Sequence, residues 1–290
     1  MSPVGLLLVD KPEGPTSHDV VDVVRRAAGV RRVGHTGTLD PFASGLLLLC
    51  VGWATRLAEY LGTLPKTYRG IIRLGQQTET DDRTGAIVAT HEGWRTAGVE
   101  ALRRALDDQV GEIEQLPPAY SAKKSAGRRA YAVARGGGTP DLQPQRVTIH
   151  RLNLCDFSPP DVAIEIECSG GTYVRSVARD LGESLGVGGH LLSLRRLRIG
   201  EFDVATAVRL EDDVSGRDIE AVIRPPEEAV AHLPTVHLGQ KEEIELRQGR
   251  AVECRVEGLV GPVAVVVAGK LVAITESKEG RLRPKKVFGG

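Results

Sequence analysis

Apolar residues in this chain recur with two different periods, and the switches between them mark out the elements. Leu6, Leu7, Leu8 and Val9 form a short apolar run that predicts a strand over 5–9. Asp10-Lys11-Pro12 and the turn residues Glu13-Gly14-Pro15 stop it. Val20, Val21, Val24, Ala27 and Ala28 then share one helical face, so a helix is expected, capped by Ser17 and closed by Gly29. The continuous run Leu46-Leu47-Leu48-Leu49-Cys50-Val51 reads as a buried strand, and 67–75 as another. Val99, Leu102, Leu106 and Val110 place a second helix at about 96–110. Val162, Ile164, Ile166 and Cys168 alternate with Ala163, Glu165, Glu167 and Ser169, the pattern of a half-buried strand. Gly170-Gly171 breaks it, and Val174, Val177, Leu181 and Leu185 mark the helix that follows. Strands and helices interleave without the regular alternation of a doubly wound fold, which predicts an α+β architecture.

Length and composition change this picture only at its edges. A chain of 290 residues suggests about two domains and needs no disulfide or metal staple. A boundary is expected near Pro234. Beyond it, 254–257, 261–268 and 271–275 look like short strands between glycine turns, in a piece small enough to need support from the larger domain. Cys50, Cys155, Cys168 and Cys254 are scattered, without a CxxC pair or a histidine at ligand spacing. They read as reduced cysteines of a cytoplasmic protein, and no metal site is expected. The start lacks a basic n-region, and its apolar run is too short for a secretion signal or membrane span, so no membrane partner is expected. Lys plus Arg equals Asp plus Glu at 38 each, a balance that leaves room for a local basic face.

The loop of residues 34–45 reads Gly-His-Thr-Gly-Thr-Leu-Asp-Pro-Phe-Ala-Ser-Gly and holds one imidazole, His35, and one carboxylate, Asp40, beside the buried run. An acid in such a loop commonly makes an Asx-turn or a helix cap. The longer string, Val33-Gly34-His35-Thr36-Gly37 with Leu39-Asp40-Pro41 and Ala43-Ser44-Gly45, resembles the catalytic motif of the bacterial TruB family, the tRNA pseudouridine-55 synthases. The resemblance extends over nearly the whole chain. It implies a pseudouridine synthase catalytic domain at 1–234, with a mixed, largely antiparallel sheet, and a small β-rich PUA-like RNA-binding domain at 235–290. It further implies isomerisation of a flipped-out uridine in the T loop of tRNA, with neither metal nor cofactor.

Each residue role implied by the resemblance rests on its own motif. Asp40 matches the nucleophile. Arg175, in the stretch Gly170-Gly171-Thr172-Tyr173-Val174-Arg175-Ser176, matches the arginine that pairs with it, and a neighbouring cation favours an ionised, attacking carboxylate. Tyr173 looks like a pocket residue beside the pair, although a core tyrosine packing on Val177 would fit as well. Tyr68, in Lys66-Thr67-Tyr68-Arg69-Gly70, matches the tyrosine that stacks on the base, with acceptance of the C5 proton as a second possible role. Leu194 resembles an apolar pocket wall. Asp82 fits the last position of the Gly-x-x-Thr-x-Thr-x-Asp segment at 75–82 and reads as a structural polar turn near the site. His35 is assigned to the RNA side, filling the gap left by the extruded uridine.

Residues 117–151 carry seven positive side chains, Lys123, Lys124, Arg128, Arg129, Arg135, Arg146 and Arg151, against Asp141 alone. The local net charge is +6 in a neutral chain. Solvation alone accounts for many such loops, but here the residues resemble the family's RNA-gripping insertion. Lys123, Arg128 and Arg129 are then phosphate contacts, and Tyr120 and Tyr131 either stack or pack locally. Arg247-Gln248-Gly249 and the tail at 280–288 carry the weaker PUA-like match, which implies a contact to the acceptor arm. The chain is expected to be a monomer that needs no guide RNA. The rival expectation is a tRNA-binding and folding protein with incidental isomerase activity. Whether Asp40 first attacks the uracil ring or the sugar is left open.

Overall fold

The structure, a computed structural model, describes residues 3–289 apart from 97, 122, 126, 211–215, 255 and 257. Its strands are β1 Gly5–Lys11, β2 Val33–His35, β3 Ser44–Val51, β4 Lys66–Leu74, β5 Gln76–Thr78, β6 Ile87–Thr90 and β7 Gly111–Gln115. They continue as β8 Lys124–Ser125, β9 Arg128–Arg129, β10 Gln145–Ser158, β11 Asp161–Cys168, β12 Gly189–Ile199 and β13 Phe202–Asp203. The last are β14 Thr235–His237, β15 Val252–Glu253, β16 Pro262–Val267, β17 Lys270–Lys278 and β18 Arg281–Val287. The helices are α1 Ser17–Ala28, α2 Ala58–Gly62, α3 Val99–Asp107, α4 Ala130–Arg135, α5 Val174–Ser184, α6 Gly216–Val222 and α7 Gln240–Arg247.

Among the described residues the main sheet runs β1-β3-β12-β4-β11-β10-β7, with β2 added on β3 and β13 on β12. Its pairings are antiparallel except β3 with β12, which makes the sheet mixed and largely antiparallel, as the resemblance implies. The unbroken apolar runs of β1 and β3 have a direct cause: both faces of this pair are covered. Leu7, Val9, Leu47 and Leu49 pack on Val20, Val21 and Val24 of α1. Leu6, Leu8, Leu46 and Leu48 face the other way, toward Ala264, Ile274 and Phe288 near the end of the chain. The alternating strands β4 and β11 bury one face only, placing Tyr68, Ile72, Ile164 and Ile166 in a core with Val177 and Leu181 of α5.

Three boundaries differ from the sequence reading. The cap of α1 is Thr16, which forms a capping box with Asp19, and Ser17 is the first helical residue. Helix α3 ends at Asp107, because the chain turns there and Gly111 enters β7 with φ +110°. The strand expected at 254–257 lies earlier, at Val252–Glu253. Cys254 N instead donates to the Gly280 carbonyl, and residues 255 and 257 lie outside the described set.

Strands β14 to β18 form a second sheet in the order β14-β16-β17-β18-β15, with Leu246, Val263, Val265 and Leu282 inside its curve. The tail at 280–288, which carries the PUA-like match, holds its strand β18. Phe288 stacks on Trp53 with ring centroids 4.6 Å apart, and Arg56 lies over the same ring while donating to the Val287 carbonyl at 2.7 Å. Lys286 pairs with Glu59 and sits over the Tyr60 ring. Among the described residues no helix is long and apolar enough to cross a membrane.

Candidate active site

The Asp40 loop has little regular structure of its own, and three distant elements hold it. The Ser17 hydroxyl, at the start of α1, accepts from Leu39 N at 2.8 Å and donates to Leu39 O at 2.9 Å. Lys11, fully buried at the end of β1, donates to Pro12 O, Pro15 O and, at 3.4 Å, Pro41 O. Burial pulls its ammonium down to about 8, against the raising pull of Asp40 and Glu13. Arg196 of β12 donates to Gly37 O, Thr38 O and Leu46 O at 3.2, 3.4 and 2.6 Å. Beyond the loop, Gly45 (φ +105°) lies so close to β12 that a Cβ there would meet Arg196 O at 2.2 Å. Only glycine allows the loop and β12 this approach.

Asp40 thereby projects into a cavity of about 630 Å³, one third exposed. Arg175, on the first turn of α5, meets it with both prongs: Nε to Oδ2 at 3.0 Å and Nη2 to Oδ1 at 3.3 Å. The guanidinium is itself fixed, donating to Thr80 O at 2.9 Å and Tyr120 O at 3.1 Å, with Asp82 at 3.6 Å behind it. Asp82 is held in turn by Thr80 Oγ1, Thr84 Oγ1 and Thr84 N. The 75–82 segment is therefore the rear support of Arg175, and its acid stands on the cation rather than merely near the site. A fork of this kind leaves one carboxylate at the cavity wall with its charge offset and its direction set.

Tyr68 of β4 and Leu194 and Arg196 of β12 lie on one face of the sheet and line the same cavity. Burial pushes the Tyr68 phenol up, and the neighbouring Arg196 pulls it back in part. Tyr173 lines the wall, its backbone gripped in both directions by the buried Gln115 amide at 2.8 and 3.1 Å. Burial raises its phenol as well.

Thus Asp40, Tyr68, Tyr173, Arg175 and Leu194 converge on one cavity. His35 stands beside it on β2, next to the lining residue Thr36. Among the described residues its buried Nδ1 has no hydrogen-bond partner, and burial followed by Arg196 pushes the imidazole toward the neutral form. Lys123 donates to Gln145 at 2.5 Å, so its ammonium is partly engaged within the protein. The side chains of Arg128 and Arg129 lie outside the described residues. Tyr131 and Arg135 of α4 reach the rim instead, with the guanidinium 5.7 Å from the ring centroid. Sequence reasoning passed over Lys11, Lys66 and Arg196. The signal for Arg196 was its place two residues beyond Leu194, hence on the same face of a strand.

A shallower groove of about 520 Å³ includes Arg69 and Arg195 in its lining. Those guanidiniums are tied to Glu165 and Asp10, so their charge in that groove is already paired.

Comparison with known proteins places the whole chain among relatives of one kind. Residues 25–174 match the family model described as TruB family pseudouridylate synthase, N-terminal domain. Residues 175–231 match the tRNA pseudouridylate synthase B C-terminal domain. The chain is 40% identical to tRNA pseudouridine synthase B of Aquifex aeolicus (strain VF5), covering 98% of this chain and 99% of that protein. It is 44% identical to the protein of the same name from Thermobifida fusca (strain YX), covering 99% of each. Among solved structures it resembles an H/ACA RNP bound to a substrate RNA containing 2'-deoxyuridine, with TM-score 0.72, 24% identity, and 99% of this chain and 85% of that one covered. The archaeal box H/ACA sRNP Nop10-Cbf5 complex matches with the same TM-score at 25% identity, covering 98% of this chain and 86% of the other.

Proposed function

The chain belongs to the TruB family of pseudouridylate synthases, and we propose on that premise that it converts uridine 55 in the T loop of tRNA to pseudouridine, with Asp40 as nucleophile. It is a tRNA pseudouridine synthase, an isomerase. The observation that carries the mechanistic reading is the two-pronged Asp40–Arg175 contact at the wall of a cavity large enough for a nucleobase. An anionic oxygen there can bond to carbon of the flipped nucleotide while the N1–C1' bond is broken; the base then joins C1' through C5 as the bond to the carboxylate is released, C5 loses its proton and N1 takes one up. Tyr68 offers a stacking face, Leu194 and Tyr173 wall the base, and His35 serves the RNA side, refilling the stack that the flipped uridine leaves. The +6 segment at 117–151 and the second sheet supply contacts to the T loop and the acceptor arm.

Asp40→Asn keeps size and polarity and removes the charge. Single-turnover formation of pseudouridine is expected to fall by on the order of 10⁴-fold, with tRNA affinity changed less than about tenfold. A variant that keeps substantial turnover would make Asp40 a structural residue. If the Asn variant instead loses tRNA binding in equal measure, the protein is better read as one whose main service is holding and folding tRNA.

A further inference from the structure

The nucleophile's negative charge does not stay on Asp40. If the carboxylate attacks the sugar, an O–C1' bond forms and the N1–C1' bond breaks. Its electron pair remains on N1 and spreads to the uracil oxygens. If the carboxylate attacks C6 of the ring, an O–C6 bond forms and the ring π pair moves onto O4. Either route carries one unit of charge from Asp40 to a uracil oxygen without moving a proton. Arg175 is aimed at the start of that journey, with carboxylates at both ends of its guanidinium.

Besides Arg135 at the rim, two further cations line the cavity, Arg196 and Lys66. Arg196 is 1% exposed; it donates to three backbone carbonyls, and its guanidinium also meets the Tyr68 hydroxyl. Lys66 donates to Gly62 O and Leu64 O at 2.5 and 2.6 Å. Among the described residues no carboxylate pairs with either. A guanidinium has five N–H groups, so two of those on Arg196 remain after the carbonyls are served, to be shared between the Tyr68 hydroxyl and the cavity. Arg196 is the cross-strand partner of Tyr68, and Leu194 precedes it on the same face, so the base stacked on Tyr68 would lie against it. Burying a cation without a counter-charge is costly, and it is useful where an anion forms during the reaction.

We propose that Arg196 is a catalytic residue that donates to a uracil carbonyl oxygen and stabilises the anion formed on the base, with Lys66 adding positive charge to the same wall. The inference rests on the pseudouridine synthase reading and holds for either point of attack. Lys66 is suited to the part: burial, then Arg196, pulls its ammonium only to about 8, so most of it is charged at neutral pH.

Because Arg196 also holds the Asp40 loop, the test must separate anion stabilisation from positioning. Fluorine at C5 withdraws electrons and makes the detached or attacked base a better anion without touching the loop. Loss of the intact N-linked nucleoside is followed in single turnover on tRNA carrying uridine or 5-fluorouridine at the target. Arg196→Gln is expected to slow the uridine substrate by about 10²–10³-fold and the fluorinated one by a factor about tenfold smaller, with tRNA affinity nearly unchanged. Equal losses on the two substrates would overturn the proposal, since a displaced loop slows both alike. Arg196→Lys keeps the charge, and it carries the same two-substrate comparison should the Gln variant fail to fold. Wild-type protein and Asp40→Asn run alongside. A wild type that leaves both nucleosides intact refutes the function itself, whereas an active wild type with equal Arg196 losses refutes only this inference.

Discussion

Tyr68 shows how the setting of one side chain turns a choice of roles into a measurable sign. Burial pushes its phenol above the ordinary tyrosine value, so at neutral pH the hydroxyl keeps its proton and stacking needs nothing more. Accepting the C5 proton requires the phenolate, whose fraction grows about tenfold per pH unit up to the raised pKa. If C5 deprotonation limits turnover, the rate should rise with pH across the neutral and alkaline range. Tyr68→Phe should bind tRNA normally, turn over about 10²–10⁴-fold more slowly and lose that rise. A Phe variant with wild-type single-turnover rates would leave only the ring face at work. Tyr68→Leu removes that face as well and should cost roughly 1–3 kcal/mol of binding.

The start of α1 separates two adjacent hydroxyls with different duties. Thr16 caps the helix, and Thr16→Ala should cost about 1 kcal/mol in urea unfolding without slowing the folded enzyme. Ser17 points away from the helix end and satisfies both backbone groups of Leu39. Ser17→Ala leaves those buried groups unpaired, an expected loss of about 1–3 kcal/mol, and should also lower turnover because Asp40 is the next residue. A Ser17 variant that loses stability but no turnover would mean that Lys11 and Arg196 suffice to hold the loop. The sequence made the helix legible but not this division of labour. Periodicity and the closing Gly29 reveal an element, whereas a serine's long-range partner depends on topology. The same holds for the site. Asp40, Tyr68 and Arg175 were readable because each stands in a motif. Lys11, Lys66 and Arg196 sit in strands whose local pattern says nothing of a cavity, and their importance appears only when β1, β4 and β12 are brought together.

The two sheets share a core, so their stabilities are linked. Phe288 is buried against Trp53, and Phe288→Ala is expected to cost about 3–5 kcal/mol, read as a lower denaturation midpoint of the whole chain. Two separate transitions, with only the second sheet affected, would show that the halves unfold independently. Of the tail's basic side chains, Lys286 serves this junction and Arg283 and Lys285 pair with Glu279 and Glu276, a use that charge counting could not foresee. The Trp53–Phe288 stack has one more consequence. It ties the second sheet to the segment that follows β3, the strand leading directly from the Asp40 loop. On the proposed reading, with the acceptor arm on the second sheet and the T loop at the cavity, the protein would act as a caliper with a fixed gap. An extra base pair placed between those two contacts in tRNA should prevent simultaneous engagement and weaken binding, while an isolated T-arm hairpin, which never spans the gap, should react equally well with the wild type and with the Phe288 variant.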